Sequence, residues 1–141
     1  MKDNQIEIKF IESWNNEEIV NLYKAGGWWK DNYDPSGLKN LIKGSFVFAV
    51  AIDKMSGLAI GMGRLISDGV SDAYIQDLVV LPEYRDRGIG RQLVKALLSH
   101  CLSNRILWIG LIAEPDQDGF YSNIGFKTMS KYVPMKYQKD D

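Results

Sequence analysis

One histidine, one cysteine and four prolines are all that this chain of 141 residues holds of those types, and each scarcity removes a class of chemistry. Cys101 has no second thiol with which to close an intramolecular disulfide. One His with one Cys also falls short of a structural zinc site, so no metal is expected. Excess charge of either sign is missing too: 17 basic residues against 18 acidic ones leave a net charge of −1. A dedicated nucleic-acid binder is normally clearly basic, so no nucleic-acid partner is expected. There is no long apolar run, and Met1-Lys2-Asp3-Asn4-Gln5 lacks the apolar core of a secretory signal. The expectation is a reduced, cytoplasmic protein that does not engage a membrane. No period of 20–50 residues repeats, which excludes solenoids and propellers.

What remains is an ordinary globular composition, 45% hydrophobic and 25% charged. A chain of this length buries about 70% of its unfolded surface and needs no staple. We expect one domain over residues 1–141, with a core spanning about 6–137 and a short polar tail from Gln138 to Asp141. Ile6, Ile8 and Phe10 alternate with polar residues as in a short strand. Asn15-Asn16-Glu17-Glu18 then offers helix capping, with Ile19, Val20, Leu22 and Tyr23 as the apolar face and Gly26-Gly27 as the stop. Asp34-Pro35-Ser36 opens a second short helix. Phe46 to Ile52 and Leu58 to Ile66 read as a hairpin, and Ala73 to Leu81 as a third consecutive strand closed by Pro82. From Gly90 to Leu102 a helix is expected, with Leu93, Val94, Leu97, Leu98, Cys101 and Leu102 on one stripe. His100 falls on its polar side. Ile106 to Ile112 is apolar enough for a parallel strand. A short helix near Asp116 to Ile124 and two closing strands, Phe126 to Met129 and Tyr132 to Tyr137, complete the order β-α-α-β-β-β-α-β-α-β-β. This describes an α/β fold with one mixed central sheet.

Chemistry concentrates in Pro82-Glu83-Tyr84-Arg85-Asp86-Arg87-Gly88-Ile89-Gly90-Arg91. Two glycines just before an amphipathic helix let an anion approach amides that have no partner within the helix and sit at its positive end. Arg85, Arg87 and Arg91 add positive charge, partly offset by Glu83 and Asp86. A Walker loop needs Gly-Lys-Ser/Thr, whereas Arg91-Gln92 follows here. A dinucleotide fingerprint needs a third glycine where Leu93 stands. The pattern Arg85-x-x-Gly88-x-Gly90 after Leu78-Val79-Val80-Leu81 instead resembles the Q/R-x-x-G-x-G/A signature of the GNAT N-acetyltransferases. Phe120-Tyr121-Ser122-Asn123-Ile124-Gly125-Phe126 is similar to that family's F-Y-x-x-x-G-F segment.

The resemblance runs over nearly the whole chain, from Ile6 to Tyr137. It implies a GNAT-like sheet with splayed fourth and fifth strands and acetyl-CoA as acetyl donor. Arg85, Asp86, Arg87, Gly88, Ile89, Gly90 and Arg91 would hold the pyrophosphate, and the backbone of Leu78, Val79 and Val80 the pantetheine arm. A main-chain N–H of Val79 or Val80 would polarise the thioester carbonyl. Tyr121 would be the general acid. Asp77, Gln76 and Tyr74 share the relevant strand as candidates for the base, and Asp77 is its only carboxylate. Strict alternation puts Tyr74, Gln76, Leu78 and Val80 on one face, and Ile75, Asp77 and Val79 on the other. Glu114 departs from the family's usual Asn. Trp28, Trp29 and Tyr33 are candidates to bind the acceptor by stacking or cation–π attraction, with closing the core as their other use. Gly27-Trp28 and Ile60-Gly61-Met62-Gly63-Arg64 are weakly similar to members that acetylate arylalkylamines. The implied reaction moves an acetyl group to a primary amine of a small molecule by direct attack, in a monomer or a homodimer. Alternatives are a protein or peptide N-acetyltransferase, or a non-catalytic acyl-CoA sensor or interaction module.

Overall fold

The computed structural model describes residues 5–139. The reading of the N-terminus from Met1 to Asn4, and the end of the polar tail at Asp140 and Asp141, lie outside them. The described chain falls into two compact units, Met1–Leu111 and Ile112–Asp141. No helix among the described residues is long and apolar enough to cross a membrane.

In the first unit five strands lie in their chain order: β1 (Ile6–Phe10), β2 (Val47–Asp53), β3 (Ala59–Ser67), β4 (Asp72–Val80) and β5 (Trp108–Leu111). β1 to β4 pair antiparallel, and β5 joins β4 in parallel. β2 is buried on both faces for six residues, as its unbroken apolar run requires. Two helices precede it. α1 (Asn16–Ala25) starts where the Asn15 carboxamide accepts from the Glu18 N–H at 3.0 Å, and it buries Ile19, Leu22 and Tyr23. A 3₁₀ turn over Pro35–Gly37, capped by Asp34, leads into α2 (Leu38–Gly44), which buries Leu38 and Ile42. These side chains pack with Phe48, Val50, Met62 and Val79 on one sheet face.

The opposite face takes α3 (Ile89–Ser103), whose Leu93 and Leu97 approach β3 above Gly61 and Gly63. The helical stripe is as expected for Leu93, Val94, Leu97 and Cys101, but Leu102, one residue on from buried Cys101 and so turned about 100° from it, is 57% exposed. His100 is half-buried rather than at the polar surface, because the Phe10 and Phe46 rings meet its imidazole with centroids at 5.3 and 5.4 Å.

β5 spans four residues instead of seven, its ladder ending at the pair Ile75↔Leu111. β4 continues to Val80, still paired with β3, beyond the last residue of β5. Among the described residues of the second unit the one helix is α4 (Asp118–Ser122). The closing strands expected at Phe126 to Met129 and Tyr132 to Tyr137 do not form; both stretches are without regular structure. Pro134 removes a ladder donor in the middle of the second, and a turn from Tyr132 N–H to Met129 O separates the two. Tyr132, Val133, Met135 and Tyr137 are all largely exposed.

Candidate functional site

Between Met62↔Val79 and Arg64↔Gln76, β4 holds one residue more than β3 opposite it. The extra residue is a β-bulge, and Asp77 takes it up in the left-handed region at φ 59°. A carboxylate residue tolerates that backbone better than a branched one does. The bulge corrects the strict alternation read from the sequence. Asp77 turns to the α1–α2 face along with Gln76 and Val79, while Leu78 packs near Gly63 on the α3 face.

On the α1–α2 face one oxygen of Asp77, Oδ2, accepts from Arg64 Nε at 2.6 Å and from the Tyr23 hydroxyl at 2.8 Å. Burial, and then the facing Asp77 carboxylate, push the Tyr23 phenol far above its ordinary value, so it stays protonated and donates. Neither Tyr23 nor Arg64 was assigned this role from the sequence. Pairing across 54 and 13 residues leaves no local signal.

Beyond the bulge the pleat decides which amides are free to meet a ligand. Leu81 N–H donates to Ile60 O at 2.8 Å, towards β3. Alternation then sends Val79 to β3 as well, and sends Leu78 and Val80 to the side where β5 no longer pairs. Arg85 Nε donates to the Val80 carbonyl at 2.9 Å, so Arg85 spans the mouth of this fork.

The loop from Pro82 to Gly88 carries two left-handed residues, Asp86 at φ 63° and Gly88 at φ 79°, on either side of Arg87. Such an alternation gathers successive N–H groups into an anion-binding concavity. Gly88 caps α3 with no side-chain hydrogen bond, and Gln92 N–H already returns to Gly88 O, so the amides of Ile89, Gly90 and Arg91 stand at an uncapped helix start. The fold thus joins Leu78, Val80, Arg85 and the first turn of α3 in one ribbon.

One contact ties that loop to β2 and another braces it from within. The Tyr84 hydroxyl donates to Asp53 Oδ2 at 2.6 Å, at the end of β2, and the Arg87 guanidinium stacks 5.2 Å from the Tyr84 ring centroid. The Tyr84 hydrogen bond holds the Asp53 carboxyl below its usual range. A depressed carboxylate gives up its contribution only as pH falls through its folded value, below the ordinary 3.8. The Tyr84 phenol is raised by the same bond, so the staple persists across neutral pH until that phenol ionises above its ordinary 10.0. Should the loop hold the coenzyme A pyrophosphate that the resemblance implies, Tyr84→Phe is expected to raise KM for acetyl-CoA severalfold between pH 5 and 9 with kcat unchanged. Steady-state kinetics against acetyl-CoA check this, and an unchanged KM would assign the staple to stability alone.

Trp28 and Trp29 are half-buried against the core beside α1. Tyr23 meets both rings, at 6.3 and 6.4 Å, and Trp29 meets Tyr33 edge-on at 5.5 Å. Tyr33 is 44% exposed, and through Tyr23 the cluster reaches Asp77. In the second unit Tyr121 sits edge-on to Phe120 at 4.9 Å and to Phe126 at 5.8 Å. Burial, then the Glu114 carboxylate, raise its phenol above 10.0.

A parallel pair whose ladder ends at Leu111, a bulge in β4 and an uncapped helix behind a charged Gly loop make up the candidate site. Comparison with known proteins gives the family. The family model for the Acetyltransferase (GNAT) domain matches residues 44–128. The uncharacterized N-acetyltransferase ycf52 of Pyropia yezoensis is 31% identical over 130 residues, which cover 86% of this chain and 73% of that one. Serotonin N-acetyltransferase 2, chloroplastic, of Oryza sativa subsp. japonica is 34% identical over 71 residues, 50% of this chain and 36% of that protein. The solved structure of a GNAT family acetyltransferase from Streptococcus pneumoniae superposes with a TM-score of 0.79 at 31% identity, over 96% of this chain and 99% of that one. The chain belongs to the GNAT family and is an N-acetyltransferase.

Proposed function

We propose that the chain moves the acetyl group of acetyl-CoA onto the primary amine of a small molecule by direct attack. The observation that carries this reading is the fork: β4 runs on through Leu78 to Val80 past its last pair with β5, shortly before an α3 with no side-chain cap. The amides of Gly88, Ile89, Gly90 and Arg91 would hold the pyrophosphate, with Arg87 and Arg91 adding charge. Asp86 supplies the left-handed turn that exposes them. Leu78 and Val80 would pair with the pantetheine arm much as an added strand does, and Val79 would hold that backbone against β3. Coenzyme A supplies the activated thioester; the protein binds it, orients it and moves protons.

Val80 N–H, turned into the fork, donates to the carbonyl oxygen as negative charge develops there. Asp77 takes the amine proton through water at Oδ1, since Oδ2 is held by Arg64 and Tyr23. The new C–N bond forms as the C–S bond breaks, and Tyr121 gives the departing thiolate its proton. A phenol above pKa 10 is protonated at neutral pH and can serve a thiol of about 8.5. Trp28, Trp29 and Tyr33 would wall the acceptor.

Release of coenzyme A thiol in the presence of a panel of aryl amines, polyamines, amino acids and peptides tests the reading. Saturable release with one class of small amine is expected. Calorimetric binding of acetyl-CoA with no transfer to any amine would make the protein a sensor, and release with peptides alone would make it a peptide acetyltransferase.

A further inference from the structure

The direction in which β4 offers its amides beyond Asp77 is set by one inserted residue. Leu81 N–H donates to Ile60 O at 2.8 Å, so the backbone of Ile60 faces β4. Alternation along β3 gives Met62, Arg64 and Ile66 the same facing, and Leu65 O accordingly accepts from Phe46 N–H on the β2 side. Gln76 and Tyr74, opposite Arg64 and Ile66, therefore turn their backbone groups to β3. Unbroken alternation would turn Leu78 and Val80 the same way. Pairing instead resumes at Met62↔Val79. The bulge at Asp77 thus hands Val79 and Leu81 to β3 and turns Leu78 and Val80 to the fork. Without that residue every amide in this stretch would point the other way.

The bulge is held through a side chain. At φ 59° Asp77 occupies a region that a Cβ disfavours, and its carboxylate is gripped from two other elements. Arg64 Nε, on β3, donates to Asp77 Oδ2 at 2.6 Å, and the Tyr23 hydroxyl, on α1, donates to the same oxygen at 2.8 Å. Arg64 is itself steadied by the Ser45 hydroxyl, which accepts from Nη1 at 3.4 Å. Water screens the grip little, since Tyr23 is 6% exposed and the Arg64 and Asp77 side chains 17% and 20%.

We infer that Tyr23 and Arg64 are positioning residues for the transfer: by pinning Asp77 Oδ2 they hold the bulge that turns Leu78 and Val80 to the fork. The inference rests on the proposed pairing of that fork with the pantetheine arm. Asp77 then has two separable uses, Oδ2 as the anchor of β4 and Oδ1 as the proton acceptor. The effect is confined to the arm. The loop that would hold the pyrophosphate lies beyond Pro82 and has its own tie, from Tyr84 to Asp53.

Calorimetry with acetyl-CoA and with adenosine 3′-phosphate 5′-diphosphate, which keeps the pyrophosphate and lacks the arm, tests this. Tyr23→Phe removes one hydroxyl and keeps the ring against Trp28 and Trp29. It is expected to weaken acetyl-CoA about tenfold, as loss of a hydrogen bond to a charged group does, with the fragment within twofold. Asp77→Ala removes the acceptor of both bonds and should lose more. Asp77→Asn should recover most of that affinity, because its amide oxygen accepts from both donors and asparagine tolerates the left-handed turn. Amide hydrogen exchange is read alongside. Val79 and Leu81 should exchange faster in Tyr23→Phe while Leu93 and Leu97 in α3 keep their rates, a contrast that general loss of stability does not produce. The inference is overturned if Val79 and Leu81 keep their wild-type rates, or if both ligands weaken alike. A wild type that binds neither ligand would overturn the proposed acetyl-CoA transfer instead, and the exchange rates would still decide the latch.

Discussion

Tyr121→Phe is expected to lower kcat by about 10² or more while Kd for acetyl-CoA stays the same, since a positioned general acid contributes roughly 10²–10⁴. The hydroxyl is the only group removed, and the ring contacts with Phe120 and Phe126 survive in Phe. The pH profile separates this from a packing defect. A general acid must be protonated, so activity carried by Tyr121 is present below its pKa and lost as pH rises through it. Burial and Glu114 place that pKa above 10.0, so the wild-type rate should hold to at least pH 9.5. In the Phe variant the residual rate depends on water to protonate the thiolate, and any such alkaline limb should be gone. If the variant retains full kcat across this range, Tyr121 is not the acid. Pre-steady-state measurement of thiol release decides it, because a slow product-release step would hide the effect in kcat alone.

The parts of this site differ in how readily the sequence discloses them, for physical reasons. The charged Gly loop is legible because each of its properties is local. A strand ends at Pro82, left-handed φ falls on a glycine at 88, and a stripe with helical spacing begins beside it. The strands up to Val80 are legible for the same reason, since alternation is read within five to nine residues. The bulge is not. One residue inserted in β4 leaves no mark in composition, yet it moves Asp77 to the other face and changes what the carboxylate can reach. Its partners Tyr23 and Arg64 come from α1 and β3, and only the folded chain brings them there.

Trp108 illustrates a different limit. Its place in a strand is legible, but the direction of its ring depends on an absence two residues later, at Gly110, where strand glycines ordinarily signal weakness. The two expected closing strands err in the other direction. Tyr132 to Tyr137 has the aromatic and branched residues of a strand, but Pro134 interrupts its donors, and the pattern cannot report that no neighbouring ladder takes it up. Helical phase alone places His100 on the polar side, and it cannot foresee two phenylalanines arriving from β1 and from just before β2.

The second large effect is expected at the start of α3. Gly90→Asp should lower acetyl-CoA affinity about a hundredfold, because like charges placed together at a binding surface cost several kcal/mol. The same substitution should leave the fold intact or slightly firmer. Gly90 is the second residue of α3, and that helix has no side-chain cap, so an acidic group there meets the positive end of the helix dipole. Stability and affinity would then move in opposite directions, which a general folding defect cannot produce. The neutral Gly90→Asn variant carries a side chain of the same size and should lose far less affinity. Wild-type binding should weaken with added salt, because exposed charges are screened over about 8–10 Å at moderate ionic strength, and the Asp variant should show a shallower dependence. Thermal melting without ligand and calorimetry with acetyl-CoA measure the two sides. Equal affinity in the Asp variant and the wild type would mean that the pyrophosphate is not held at the start of α3. Arg87 and the Tyr84–Asp53 staple would then need another purpose.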